Sequence, residues 1–272
     1  MPELPEVETQ VRDLQVLVGH KILEIATDTP KSFSPKFEIF RQKIRDQKIL
    51  AISRRAKFLV FELSKNLKMV VHFRMTGHFL LAKNSVPLEK CIRHFFKISG
   101  GIVLQFSDIR KFGTLELLEK NSVSRSLAKL GIEPFAADFT FSKFQKIIRK
   151  RKGKLKAFLL DQKNIVGIGN IYADEICFGA RLHPASEIQN LSATDLKNIF
   201  REIKKQLKKG IRNRGTTIGE YVDTRGEHGK NQHSLMAYKR HSLDCKICGT
   251  KMQKTKIVQR TTSFCPKCQK MK

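Results

Sequence analysis

The spacing of apolar positions changes twice along this 272-residue chain. Val7, Val11, Leu14 and Val18 recur at helical spacing over residues 5–18, and Gly19 marks a stop. From about residue 21 to 118 the runs are short and β-like: Lys21–Ala26, Lys57–Leu63, Met69–Phe73, Ile92–Ile98, Ile102–Phe106 and Thr114–Leu118. Turns such as Ser99-Gly100-Gly101 part some of them, and the pattern predicts an antiparallel β-sandwich or barrel behind a leading helix. After about residue 120 the period is helical again, with candidate helices over 124–130, 140–150, 154–162, 170–179 and 193–211. The last places Ser192 at its N-cap and Leu196, Ile199, Phe200, Ile203, Leu207 and Ile211 on one face. Residues 212–244 are polar, contain glycine and carry little periodicity, so a mobile loop is expected there. The division that follows is residues 1–120 as a β domain, 121–235 as a helical domain and 236–272 as a cysteine module, with no internal repeat.

Composition adds the partner class. The chain is 40% hydrophobic, with 19 Phe and no Trp, which fits a globular protein with a core. Lys and Arg number 53 against 25 Asp and Glu, a net charge of +28. An excess of that size points to a polyanion, above all nucleic acid. The charge is uneven: residues 143–156 carry Lys143, Lys146, Arg149, Lys150, Arg151, Lys152, Lys154 and Lys156 without an acid, and residues 201–272 hold 19 basic against 5 acidic side chains. Both concentrations suit a surface that tracks phosphates. No apolar stretch approaches the roughly 20 residues of a membrane span, and no secretory leader is read at the N-terminus. The expectation is a monomeric, DNA-associated protein of the cytoplasm.

Four of the six cysteines form Cys245-x2-Cys248-x16-Cys265-x2-Cys268. That spacing signals one zinc ion, and with four thiolates no position is left open for water, so the metal is structural. Cys91 and Cys177 lie in apolar runs and read as small buried side chains.

The N-terminus supplies candidate chemistry. With Met1 removed, Pro2 becomes a secondary amine beside the Glu3 carboxylate. An α-amino group titrates about two units below lysine, so more of it is unprotonated at neutral pH. Such an amine can attack a sugar or carbonyl carbon and form a Schiff base; from a secondary amine the product is a permanently charged iminium. The same residues also suit a helix start, with Pro5 in the first turn and acids favoured by the dipole.

These residues resemble the bacterial formamidopyrimidine-DNA glycosylase family, enzymes that remove 8-oxoguanine. Pro2-Glu3-Leu4-Pro5-Glu6-Val7-Glu8 resembles its N-terminus, and Arg54-Arg55-Ala56-Lys57 its lysine turn. His72-Phe73-Arg74-Met75-Thr76-Gly77 and Asp108-Ile109-Arg110-Lys111-Phe112-Gly113 resemble its two groove-filling loops. Asp161-Gln162 and Gly167-Ile168-Gly169-Asn170-Ile171-Tyr172-Ala173-Asp174-Glu175 resemble its helix-two-turn-helix, and Gln259-Arg260-Thr261-Thr262 with the cysteines its zinc finger. The matches run in order over the whole chain. The implied fold is an N-terminal antiparallel β-sandwich with a leading helix, then a helical helix-two-turn-helix domain and a zinc-finger β-hairpin.

The resemblance implies base excision with strand cleavage on both sides of the lesion. Pro2 would attack C1′, Glu3 would act as acid and base, and Lys57 and Arg260 would hold phosphates. Met75, Arg110 and Phe112 would fill the space of the flipped nucleotide, because a base inside the duplex is unreachable. Glu6, Lys156, Asn170 and Tyr172 match further positions on the DNA side. Two departures stand out. Ile109 replaces the usual proline before the inserted arginine. In the 216–232 stretch, which resembles a loop that closes over the extruded base, Gly226-Glu227-His228-Gly229-Lys230-Asn231 replaces the usual pattern. The alternatives are an endonuclease VIII-like preference for oxidised pyrimidines, which Leu4 disfavours, and a non-catalytic damage-binding zinc protein.

Overall fold

The acids and Pro5 at the N-terminus start a helix as expected. It runs over Leu4–Asp13 (α1), buries Leu4, Val7 and Val11, and tightens into a 3-10 turn at Leu14–Leu17. That tightening takes Val18 off the apolar face: its backbone is extended and it is 39% exposed, where the periodicity placed it on the buried side. The computed structural model describes residues 1–83, 91–122 and 124–272.

Eleven strands and six further helices follow among the described residues. They are β1 (Ile22–Thr27), β2 (Phe33–Ser34), α2 (Phe37–Ile44), β3 (Ile49–Arg55), β4 (Phe58–Leu63), β5 (Leu67–His72), β6 (His78–Lys83), β7 (Ile92–Ile98), β8 (Ile102–Ser107), β9 (Thr114–Glu119), α3 (Arg125–Ala128), α4 (Phe141–Arg149), α5 (Leu155–Leu160), α6 (Asn170–Gly179), α7 (Ala193–Arg212), β10 (Gln253–Ile257) and β11 (Arg260–Phe264). They form two compact units, Met1–Ala128 with Asn213–Gln232, and Lys129–Arg212 with His233–Lys272. This division differs from the three-part expectation: residues 213–232 pack with the β unit, and the cysteine module with the helices.

The first unit is a β-sandwich. One sheet has the order β1-β7-β8-β6 and the other β2-β9-β5-β4-β3. All pairings are antiparallel except β2 with β9. Alternation drives the layering: in β4, Leu59, Phe61 and Leu63 are buried while the residues between them are half-buried. With no tryptophan, phenylalanines fill the space between the sheets. The buried Phe79 ring sits at 5.2–6.3 Å from those of Phe61, Phe73, Phe96 and Phe106, mostly edge to face.

In the second unit the apolar stripe of α7 (Leu196, Ile199, Ile203 and Leu207) is fully buried. Ser192 caps α7, its Oγ accepting the Asp195 N–H at 3.1 Å, as the sequence pattern predicts. Gly210 lets α6 approach closely: a Cβ there would stand 2.2 Å from the Tyr172 hydroxyl. The cysteine module packs through Cys245, Met252 and Cys265 on Phe178 of α6. No helix among the described residues is long and apolar enough to cross a membrane.

Candidate active site and nucleic-acid interface

The N-terminal residues are held from the first peptide onward. Met1 is 49% exposed, whereas Pro2, Glu3 and Glu6 are buried. Glu3 is the N-cap of α1, and its N–H donates to Glu6 Oε2 at 2.8 Å in a capping box. Pro2 therefore sits just before the N-terminus of a helix, where the dipole disfavours positive charge. Met1 acylates Pro2 in the full chain; cleavage after Met1 exposes the amine at that spot.

Glu6 was expected on the DNA side. Its carboxylate instead points inward, where the second oxygen, Oε1, accepts the Thr216 N–H at 2.7 Å. The Tyr221 hydroxyl donates to the Glu6 carbonyl at 3.3 Å. Glu6 thus joins the helix start to the 213–232 segment.

That segment is fastened rather than loose, contrary to the mobile loop expected from its composition. Arg214 Nη2 lies 2.6 Å from both Asp13 Oδ2 and Asp223 Oδ2. Gln10 donates to the Val222 carbonyl at 3.1 Å, and the Leu81 N–H of β6 donates to the Thr224 carbonyl at 2.7 Å. Burial works against the Asp223 charge, but Arg214 and the Arg225 and Glu227 amides outweigh it and hold this carboxyl below its usual range. Polar residues that read as loop are here paired with one another, a pattern that hydrophobic periodicity does not register.

Lys57 occupies the two-residue turn between β3 and β4, where Arg55 pairs with Phe58 and Ala56 takes the left-handed conformation at φ 55°. The residue is 6% exposed. Its charge reaches His72 on β5: burial, then the Arg74 and Lys57 cations, push the His72 imidazole down to about 3, so it is neutral at physiological pH.

Met75 and Phe112 stand in loops after β5 and β8 and are 36% and 51% exposed. Large apolar side chains held out in this way are available to wedge into a base stack. Arg110 lies over the Phe112 ring at 4.7 Å from its centroid. Asp108 joins the two loops. Its Oδ1 accepts the Thr76 hydroxyl and the Arg110 N–H, and its Oδ2 accepts the Gly113 N–H at 2.7 Å. Ile109, in place of proline, is 45% exposed between these anchors. The bridging role of Asp108 was not read from the sequence. The only signal was an acid two residues before an arginine that precedes a glycine-closed loop.

In the second unit the turn between α5 and α6 is tied by one side chain. Gln162 accepts the Gly167 N–H and donates to the Ile168 carbonyl, both at 2.8 Å. Gly167 takes φ 87°. Gly169 is the cap of α6 and Asn170 its first helical residue, whose amide donates to the Thr261 carbonyl at 3.3 Å. Helix N-terminal amides and glycine-rich backbone favour phosphate at this position.

Arg260 is exposed just past the β10–β11 turn, whose Val258 and Gln259 have φ 47° and 57°. Two successive left-handed residues are the signature of a tight hairpin that follows the strand twist. Strand pairing from Gln253↔Phe264 to Ile257↔Arg260 keeps the arginine at the tip.

Lys156 and Tyr172 do not reach the surface, which corrects the direct DNA contact expected of them. Lys156 is 0% exposed; its ammonium lies 2.6 Å from Asp174 Oδ1 and donates to Thr262 Oγ1 at 2.7 Å. Tyr172 is 1% exposed and packs against Gly210. Both are held inside by the close α5, α6 and α7 packing. Asp174 also accepts the Ser263 N–H at 3.2 Å, and burial lifts its carboxyl to about 7 despite the Lys156 ammonium. The next residue, Glu175, gathers the Met236, Ala237 and Tyr238 amides at 2.8–3.0 Å. Two adjacent acids of α6 thereby grip the hairpin and the chain leading into the cysteine module. Neither role was read from the sequence, where both acids appeared only as helix residues.

The four module cysteines place their sulfurs within 4.8 Å of one another. Cys245 and Cys268 are 3.9 Å apart, and Cys248 and Cys265 3.5 Å. A tetrahedral zinc with bonds of about 2.3 Å needs sulfurs roughly 3.8 Å apart, so the donor set fits one structural zinc ion. Cys177 is buried as expected; Cys91 is half-buried.

Comparison with known proteins decides the family. A model of the formamidopyrimidine-DNA glycosylase N-terminal domain matches residues 1–115, one of its H2TH domain matches 130–221, and a zinc finger found in FPG and IleRS matches 243–270. The chain belongs to the formamidopyrimidine-DNA glycosylase family. Its relatives include the formamidopyrimidine-DNA glycosylases of Pelotomaculum thermopropionicum, 38% identical with 100% of both chains covered, and Protochlamydia amoebophila, 39% identical over 99% of this chain and 100% of that one. The Lactococcus lactis Fpg in complex with abasic-site DNA superimposes with a TM-score of 0.92 at 36% identity, covering 98% of this chain and 99% of that one. The same enzyme with N7-benzyl-Fapy-dG DNA gives a TM-score of 0.91. The β-sandwich, helical and zinc-hairpin parts expected from the sequence are those of this family.

Proposed function

We propose that this protein excises oxidised purines, 8-oxoguanine and formamidopyrimidines, from double-stranded DNA and then cleaves the strand as an AP lyase. It acts as a monomer on DNA in the cytoplasm. The observation that carries the reading is the fixed position of Pro2 immediately ahead of α1, with Glu3 held beside it by Glu6. A relative solved with abasic-site and N7-benzyl-Fapy-dG DNA supports the substrate class.

After removal of Met1, the Pro2 nitrogen attacks C1′ and the C1′–base bond breaks; the bond's electron pair leaves with the base, which takes up the proton that the nitrogen sheds. Glu3 gives a proton to the sugar ring oxygen as the ring opens; a positioned acid of this kind is worth about 10²–10⁴ in rate. The resulting iminium acidifies C2′. Loss of a C2′ proton expels the 3′ phosphate, and a second elimination expels the 5′ phosphate. Hydrolysis of the Schiff base then frees Pro2.

Lys57 holds a phosphate beside the lesion, and Arg260 and Asn170 hold backbone phosphates. Met75, Arg110 and Phe112 occupy the vacated stack, the arginine bonding the opposite base. Cys245, Cys248, Cys265 and Cys268 hold zinc, which supplies folding energy to the hairpin. Comparing protein that starts at Pro2 with protein that retains Met1 tests this reading. The retained methionine abolishes cleavage of an abasic duplex while leaving DNA binding. Equal cleavage by both would sink it.

A further inference from the structure

We infer that Arg54 is a positioning residue for Lys57, acting with Glu8 to fix the peptide plane on which the lysine stands. The inference rests on the reading of Lys57 as the phosphate-holding cation.

The Ala56-Lys57 turn is a strained place to mount a functional side chain. Ala56 is left-handed at φ 55° and 1% exposed, a conformation that crowds the Cβ of an L-residue against its own backbone. Its carbonyl accepts Arg54 Nη1 at 2.9 Å. That oxygen belongs to the same planar peptide group as the Lys57 nitrogen. Holding the oxygen therefore sets where the Lys57 backbone leaves the turn.

Arg54 is itself held. Its Nε donates to Glu8 Oε2 at 3.1 Å, and the other Glu8 oxygen accepts Arg12 Nε at 2.9 Å. The two ion pairs are unequal: the Arg54 side chain is 8% exposed and that of Arg12 is 63%. A pair at the surface adds little, whereas the Arg54 arm is shielded and directional. Glu8 lies on α1, the helix that begins beside Pro2 and Glu3. A continuous set of bonds thus runs from that helix through Glu8 and Arg54 to the Ala56 carbonyl and the Lys57 peptide. Only a planar fork with separate donors can span both acceptors; a lysine at position 54 would reach one.

The test is a double-mutant cycle on protein verified to start at Pro2, using single-turnover cleavage of an abasic-site duplex, which bypasses base recognition. Arg54→Met and Arg54→Lys should each slow the chemical step on the order of 10- to 100-fold, as small misplacements of a positioned group do, with duplex affinity close to the parent. In the Lys57→Gln background, either Arg54 substitution should add almost nothing, because the group it positions is gone. If Arg54→Met does not fold, Arg54→Lys completes the cycle. Full additivity with Lys57→Gln would overturn the inference and leave the Lys57 reading standing. A parent-like rate for Arg54→Lys would also overturn it. A parent-like rate for Lys57→Gln would remove the Lys57 reading and the inference together.

Discussion

Glu6 accepts the Thr216 N–H at 2.7 Å while its other oxygen accepts the Glu3 N–H at 2.8 Å. A residue of the 213–232 segment and the cap of the N-terminal helix therefore share one carboxylate. Glu6→Gln keeps the size but turns one acceptor into a donor, which then faces an N–H. The expected cost is about 1–3 kcal/mol. Single-turnover excision should slow by about tenfold or more as Glu3 loses its restraint. Urea unfolding and single-turnover assays check this; unchanged values in both would show that the shared carboxylate restrains nothing.

The buried Lys156–Asp174 pair gives a second prediction. Lys156→Met leaves the Asp174 charge without its cation and should destabilise the zinc-loaded protein by about 3–5 kcal/mol. Adding Asp174→Asn should restore part of the loss, since the orphaned charge is removed. The cost of Lys156→Met should also be larger at pH 8 than at pH 6: without the cation the carboxyl, at about 7 in the parent, moves higher still, so the variant keeps a proton that the parent gives up as pH rises. A pH-independent cost would contradict the pairing.

His94 carries a third. It is 1% exposed, with its ring 5.0 Å from that of Phe106. Burial pulls its imidazole down to about 4 from an ordinary 6.5. The unfolded chain binds a proton that the folded state refuses. The stabilisation is present above pH 6.5 and is lost as pH falls from there through about 4. A shift of that size corresponds to roughly 2–4 kcal/mol. Urea midpoints of the parent should therefore fall more steeply between pH 6.5 and 4.5 than those of His94→Gln. Parallel curves would show that His94 does not contribute.

Arg260 supplies the fourth. If it clamps a phosphate, Arg260→Ala should weaken binding to damaged and undamaged duplex alike and reduce the salt slope by about one unit. Affinity measured across a range of potassium chloride concentrations checks this. An unreduced slope would remove Arg260 from the phosphate contacts.

Much of this architecture was legible in the chain because hydrophobic period and glycine placement report local structure directly. The helices at 141–149, 155–160, 170–179 and 193–212 and most strand cores fall where the pattern puts them. The cysteine spacing found the metal site for the same reason: ligands close in sequence are close in space. What escaped was polar and long-range. Lys156 read as surface charge because its partner Asp174 is on another helix. Residues 213–232 read as loose because their order comes from Asp13, Glu6 and Gln10, some 200 residues away in sequence. Arg54 and Asp108 stood inside recognised motifs, yet their roles depend on which backbone groups the fold brings within reach.

Attack of the Pro2 amine on the sugar is read out by borohydride trapping, which reduces the iminium to a stable bond. The experiment uses protein whose N-terminus is verified as Pro2 by mass and a duplex with 8-oxoguanine opposite cytosine. The expected result is a covalent protein–DNA adduct that maps to the N-terminal peptide, accompanied by strand cleavage. No adduct on this duplex or on an abasic-site duplex, or an adduct mapping to a lysine, would contradict it.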